Sequence, residues 1–197
     1  MAQVRRSFQR QLGERPYKRI FLLSFEGSRT EPQYFAHIDS MFSHIRIKPL
    51  KTGTRTSPRD VLKRLQKHIT KESLKETDEA WLIIDRDNWP ENDIQELQIW
   101  SQRANNYNLA ISNPKFEYWL LLHFEDGNRL SSAADCCRRL ENYLPNYNKH
   151  IDRKKFDLEK IKLAVKNGKL RDTPPAQNWE VDLGVSTVYK LIEKIIA

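Results

Sequence analysis

Cysteine is almost absent from the 197-residue chain: Cys136 and Cys137 are the only two, and they are adjacent. Neighbouring side chains on a helix diverge, so this pair neither bridges nor shares a metal easily. A disulfide scaffold and a zinc-ligand spacing are excluded, and a reducing compartment is implied. Six glycines and nine prolines are too few for collagen-like or linker composition. There is no long uncharged apolar run, and mean hydropathy is -0.75, which excludes a spanning helix and predicts no membrane partner. The opening MAQVRRSFQRQLGERPYKR has no apolar segment and no small-residue cleavage site, so the expected location is cytoplasmic. Also missing are a P-loop, a dinucleotide fingerprint and a nucleophile elbow, so ATP hydrolysis by this chain alone is not expected. Internal repeats and low-complexity tracts are absent too.

What is present is apolar surface and positive charge. A 39% hydrophobic content with five Trp, seven Tyr and eight Phe can offset the ordering entropy of a compact fold. Wholesale disorder is thereby ruled out. Thirty-four Lys plus Arg against 26 Asp plus Glu leave a net charge of +8. Clustered cations release counterions from a polyanion, so nucleic acid is the expected partner class, with a merely soluble basic surface as the plain alternative.

The length suits one domain with an appended lobe. Residues 1–18 read as a basic arm, 19–125 as an α/β core, and 126–197 as a helical C-terminal extension packed on it. IFLLSF at 20–25 and AWLIID at 80–85 are nearly continuous apolar runs, the mark of strands buried on both faces. HIRIKPL at 44–50 alternates as a strand nearer an edge, and Leu109–Ser112 is a short fourth strand. Val61, Leu62, Leu65 and Ile69 lie on one helical face, as do Ile94, Leu97 and Trp100, and again Phe116, Trp119 and Leu120. Ser28 or Thr30 is the expected cap of the helix after the first strand. Strand and helix alternate, which predicts a parallel sheet of about four strands flanked by helices. Beyond residue 126 the pattern is helical, ending in a helix over 187–196.

In an open parallel sheet ligands bind beyond the carboxyl ends of strands. Two of the best strands end in carboxylates: Glu26, and the pair Asp85 and Asp87. Extended geometry puts Asp85 and Asp87 on the same side with Cα atoms about 7 Å apart. Hard oxygen ligands at such a rim suit Mg²⁺ or Mn²⁺. An Asp-X-Asp after a strand also serves turns and helix caps, but three converging carboxylates without a cation repel one another.

Three blocks carry a family resemblance: EGSRTEPQYF at 26–35, Asp85-Arg86-Asp87, and SNPKFEYWLLLHF at 112–124. They resemble the RloB family, whose core is similar to a Toprim domain. The resemblance spans residues 18–196 and is loose over 126–185. It implies a Toprim-like fold with a glutamate after the first strand and an Asp-X-Asp pair after the third, an arrangement shared with topoisomerases, primases and overcoming-lysogenization-defect nucleases. It further implies a defence nuclease in bacterial anti-phage abortive infection, working with an ABC-type ATPase. Homo-oligomerisation stays open.

On this reading Glu26, Asp85 and Asp87 are the catalytic and metal-binding residues. Glu31 and Glu117 are further metal candidates, each equally explicable by helix-end stabilisation or a surface ion pair. Arg29, Arg86 and Lys115 beside the acidic motifs, and Arg55, Arg59 and Lys63 around the basic helix, are candidates for phosphate contacts. Trp89, after the aspartates, is a candidate for base stacking, site covering or loop anchoring. Two other readings compete. One is a non-catalytic nucleic-acid-binding or adaptor subunit. The other is a metal-dependent nucleotide-sugar transferase, against which Glu26 and the basic surface argue.

Overall fold

The computed structural model describes residues 17–53, 56–86, 89–176 and 179–197. In chain order its elements are β1 (Arg19–Phe25), α1 (Thr30–Met41), β2 (Ile45–Pro49), α2 (Pro58–Glu72) and β3 (Glu79–Asp85). These are followed by α3 (Glu91–Ser101), β4 (Tyr107–Asn113), α4 (Phe116–Leu121) and α5 (Ala133–Tyr143). After a 3-10 turn at Arg153–Lys155 come α6 (Leu158–Arg171), β5 (Val185–Ser186) and α7 (Val188–Ile196). Of the expected basic arm, residues 1–16 lie outside the described residues.

The strand order is β2-β1-β3-β4-β5. The first four strands are parallel and β5 is antiparallel to β4. The parallel sheet expected from the alternating pattern is therefore present. Its fifth strand has two residues, too few to carry any periodicity in sequence. β4 starts at Tyr107 rather than Leu109, since its first residues pair with β3 while only half-buried.

Alternation along the strands divides the core into two layers. Phe21, Leu23, Phe25, Trp81 and Ile83 face α1, α4, α5, α6 and α7, meeting Tyr34, Phe35, Trp119, Leu140, Ile161 and Leu191. Leu22, Leu82 and Ile84 face the other way, onto Val61 and Leu65 of α2 and Ile94, Leu97 and Trp100 of α3. Helices α5, α6 and α7 thus share one apolar cluster with β1, while Val181 and Val185 join the other. From β1 the chain crosses over α1 to β2, and then returns over α2 on the opposite face to β3. The direction of winding reverses between β1 and β3, the place where an open α/β sheet forms its crevice.

Local chemistry sets the helix starts. The Ser57 hydroxyl accepts from Asp60 N at 3.3 Å with Pro58 in the first turn of α2, Ser132 Oγ accepts from Asp135 N at 3.1 Å, and Asp157 Oδ1 accepts from Lys160 N at 2.8 Å. α1 differs from the expectation of a Ser28 or Thr30 cap. Arg29 occupies its N-cap position without a side-chain cap, and Thr30 instead pairs its hydroxyl with Tyr147 Oη at 2.9 Å.

At the outer edge of β2, Asp39 Oδ1 accepts from Ile47 N at 2.6 Å, and Pro49 has no N–H to offer. His123 is fully buried behind Tyr34, whose hydroxyl lies 3.0 Å from its Nε2. Burial pushes this imidazole down to about 3, so it stays neutral. No described helix is long and apolar enough to cross a membrane.

Candidate functional site

Asp85 is the last residue of β3 and continues the phase of Trp81 and Ile83, toward α1 and α4. Its Oδ1 accepts from the Phe116 N–H at 2.8 Å, which fixes the start of α4 against the end of β3. A cleft of about 330 Å³ opens here, formed by the 27–31 turn, Asp85, residues 115–117 and Lys149.

Three carboxylates line this cleft: Asp85, Glu31 and Glu117. Glu31 is only 5% exposed in the first turn of α1, and its Oε1 accepts from Gly27 N at 2.9 Å. A Cβ on Gly27 would stand 2.2 Å from both Glu31 carboxylate oxygens, so any other residue here would push that carboxylate out of its place. Burial pushes the Glu31 carboxyl above its ordinary range. Glu117 adds to the rise, whereas hydrogen bonding and Lys149 oppose it. Glu117 Oε1 accepts from Tyr147 Oη at 3.2 Å, and the same hydroxyl meets Thr30, so one tyrosine joins the starts of α1 and α4. The cations of the cleft are Arg29, Lys115 and Lys149. For Lys115, burial works against the charged form, but Cys137 and Glu117 outweigh it and raise the ammonium.

The remaining expected residues lie elsewhere. Glu26 takes the opposite phase to Asp85, because Phe25 pairs with Ile83 and the next residue turns toward the α2 and α3 layer. There both Glu26 oxygens accept from Trp89 Nε1, at 3.1 and 3.2 Å. Trp89 thus packs on the second layer and anchors the loop to Glu26. Arg86 donates to Trp89 O at 3.1 Å and lies over the Trp179 ring. Arg59 is paired with Asp93 and Glu96 of α3, each at 3.0 Å. Lys63 is exposed on α2. Asp87 and Arg55 fall outside the described residues.

Sequence reasoning missed Lys149 and Tyr147. They come from a segment with no helical or strand pattern, brought to the cleft by contacts more than a hundred residues distant in sequence from α1. A larger hollow, of about 700 Å³, lies at the opposite ends of the strands. Its buried carboxylate, Glu79, is already held by Arg19, Trp81, Asn108 and Lys194, so this is a structural network.

Among the described residues lining the cleft the acidic groups are carboxylates alone, with no thiol or imidazole, a donor type that suits a hard divalent cation. Among the described residues no three His, Cys, Asp or Glu side chains converge closely enough to hold a metal ion. A complete cage would need Asp87 or a carboxylate rearrangement.

Comparison with known proteins gives one match. No curated protein and no solved structure is matched. The family model described as RloB-like protein matches residues 21–195, a span running from β1 through α7. The chain therefore belongs to the RloB-like protein family.

Proposed function

We propose that the protein is a Mg²⁺- or Mn²⁺-dependent, Toprim-like nuclease that cleaves phosphodiester bonds in DNA or RNA. One observation carries this reading. At the switch point between β1 and β3, carboxylates from three elements and three cations line a single cleft. Acidic groups suit metal ions, and the surrounding cations suit the phosphates those ions polarise.

Asp85 is the residue of the cleft that would hold the cation, with Glu31 and Glu117 beside it, and Asp87 and Glu26 are the further ligands this reading asks for, Glu26 from the α2 and α3 side where Trp89 holds it. The cation would polarise the phosphodiester and neutralise charge developing on its oxygens. Arg29 and Lys115 hold the nucleic-acid backbone across the mouth of the cleft. Arg can meet a phosphate with two parallel hydrogen bonds. Glu31, raised by burial, can hold or release a proton within the same cleft.

In the cell this activity belongs to anti-phage abortive infection with an ABC-type ATPase as partner. Support for that role is the family resemblance of the acidic blocks. The adaptor reading is favoured by a separate observation, the lack of a three-ligand cluster among the described residues.

The deciding experiment incubates the purified chain, with and without an ABC-type ATPase from its genomic neighbourhood, with DNA and RNA under Mg²⁺ or Mn²⁺. Cleavage by wild type, lost in Asp85→Ala and Glu26→Ala proteins that remain folded, supports the nuclease. Absence of cleavage under every one of these conditions overturns it in favour of the adaptor.

A further inference from the structure

The segment 147–156 is pinned inward and basic outward. Ile151 is 3% exposed and Phe156 fully buried, both within the main apolar cluster. Tyr147 is tied to Thr30 and Glu117. The Gln33 side-chain amide clamps the middle of the segment: its Nε2 donates to Lys149 O at 2.9 Å, and its Oε1 accepts from Ile151 N at 3.3 Å. His37 Nε2 lies 2.8 Å from Phe156 O, and Lys155 Nζ donates to Tyr143 O.

Between these anchors Lys149, His150, Arg153 and Lys154 are exposed. None of Lys149, Arg153 and Lys154 forms an ion pair among the described residues. The one acid in their midst, Asp152, uses Oδ1 to accept from Lys154 N at 3.1 Å. Lys149 lines the cleft itself. The five residue steps from Lys149 to Lys154 reach ~18 Å at most, the span of a few phosphates of one strand at ~3.4 Å rise each.

We propose that Lys149, Arg153 and Lys154 form a phosphate track that leads out of the cleft and holds a polynucleotide strand beyond the cleaved bond. The proposal rests on the phosphodiester reading of the cleft and sharpens its substrate class to a strand several nucleotides long. Fixing the backbone beforehand matters, because the loop has little ordering entropy left to lose when the strand arrives. A frayed basic tail would bind with the same charge and a larger ordering cost.

The test measures binding of a fluorescent 20-nucleotide single strand in EDTA, between 50 and 200 mM KCl. It compares wild type with a variant carrying Lys149→Gln, Arg153→Gln and Lys154→Gln. A control carries Lys67→Gln, Lys71→Gln and Arg103→Gln, three exposed positions on and beyond the helices of the opposite sheet face. Three lost phosphate contacts reduce the slope of log affinity against log salt by about 2. The control should retain the wild-type slope. Equal slopes in wild type and the track variant, or equal losses in track variant and control, overturn the track. Salt-insensitive or absent binding by wild type overturns it as well and redirects the surface to a protein partner. EDTA separates the two proposals. A wild type that binds through the track yet never cleaves refutes the nuclease alone, whereas a track variant that binds and cleaves normally refutes the track alone.

Discussion

Asp85 accepts a hydrogen bond from the Phe116 backbone N–H at 2.8 Å, so the carboxylate expected to hold a cation also fastens α4 to the end of β3. The two roles separate by substitution. Asp85→Asn can keep an acceptor oxygen there while removing the charge, whereas Asp85→Ala leaves a buried donor unmet at a cost of about 1–3 kcal/mol. Melting should fall by several degrees in the alanine variant and little in the asparagine variant, while both lose Mn²⁺ binding by calorimetric titration. Undiminished Mn²⁺ binding in Asp85→Asn would remove this residue from the metal site.

Gly27 and Glu31 are coupled by contact. In Gly27→Ala the new methyl collides with the Glu31 carboxylate, which must move and release the Gly27 N–H. The expected loss is about 1–3 kcal/mol. In the Gly27→Ala, Glu31→Ala double variant the space is vacated, so the losses should be far from additive. A double-mutant cycle from denaturant unfolding checks this, and strict additivity would refute the steric account.

Glu31 also predicts a pH dependence. Its folded carboxyl is raised above the ordinary 4.5, chiefly by burial. A raised carboxyl contributes stability below the unfolded value and loses it as pH climbs through the folded one. Glu31→Gln can still accept from Gly27 N and carries no charge to bury. In EDTA its melting temperature should therefore exceed that of wild type at pH 7 to 8. The advantage should shrink to almost nothing near pH 4, where the wild-type side chain is mostly neutral in both states. A constant offset across this range would exclude the titration.

Trp89→Phe keeps a ring on the α2 and α3 layer and deletes the donor to both Glu26 oxygens. Losing an outer hydrogen bond of this kind typically lowers metal affinity or activity about 10- to 100-fold. Metal-dependent cleavage should drop by that order with melting nearly unchanged. Equal activity would mean Glu26 needs no help from the loop.

Much of the fold is legible in the sequence because burial on both faces writes itself as nearly continuous apolar runs. Phe21–Phe25 and Ala80–Ile84 are such runs, and Ile94, Leu97 and Trp100 mark a helix by spacing alone. The site was legible by position and not by direction. Glu26 and Asp85 both end strands, but which layer each faces depends on the β1–β3 register, Phe25 opposite Ile83, and register is a property of pairing between distant segments. Arg59 and Arg86 read as free cations because their partners, Asp93, Glu96 and the Trp179 ring, become neighbours only on folding. Tyr147 and Lys149 belong to a stretch whose only regularity is being held by Gln33 and the start of α1.

The edge strand β2 has a consequence for assembly. Asp39 occupies the outward donor of Ile47, Pro49 supplies none, and Arg46 and Lys48 stand in ion pairs with Asp39 and Glu72. An incoming strand would have to break the Ile47 bond and would find no N–H at Pro49. At the far side the sheet closes with two residues of β5 before α7 begins. Neither border offers a long template for backbone zippering, so any partner protein would attach chiefly through side-chain surfaces. Substitutions on those surfaces can then change association while leaving the sheet intact.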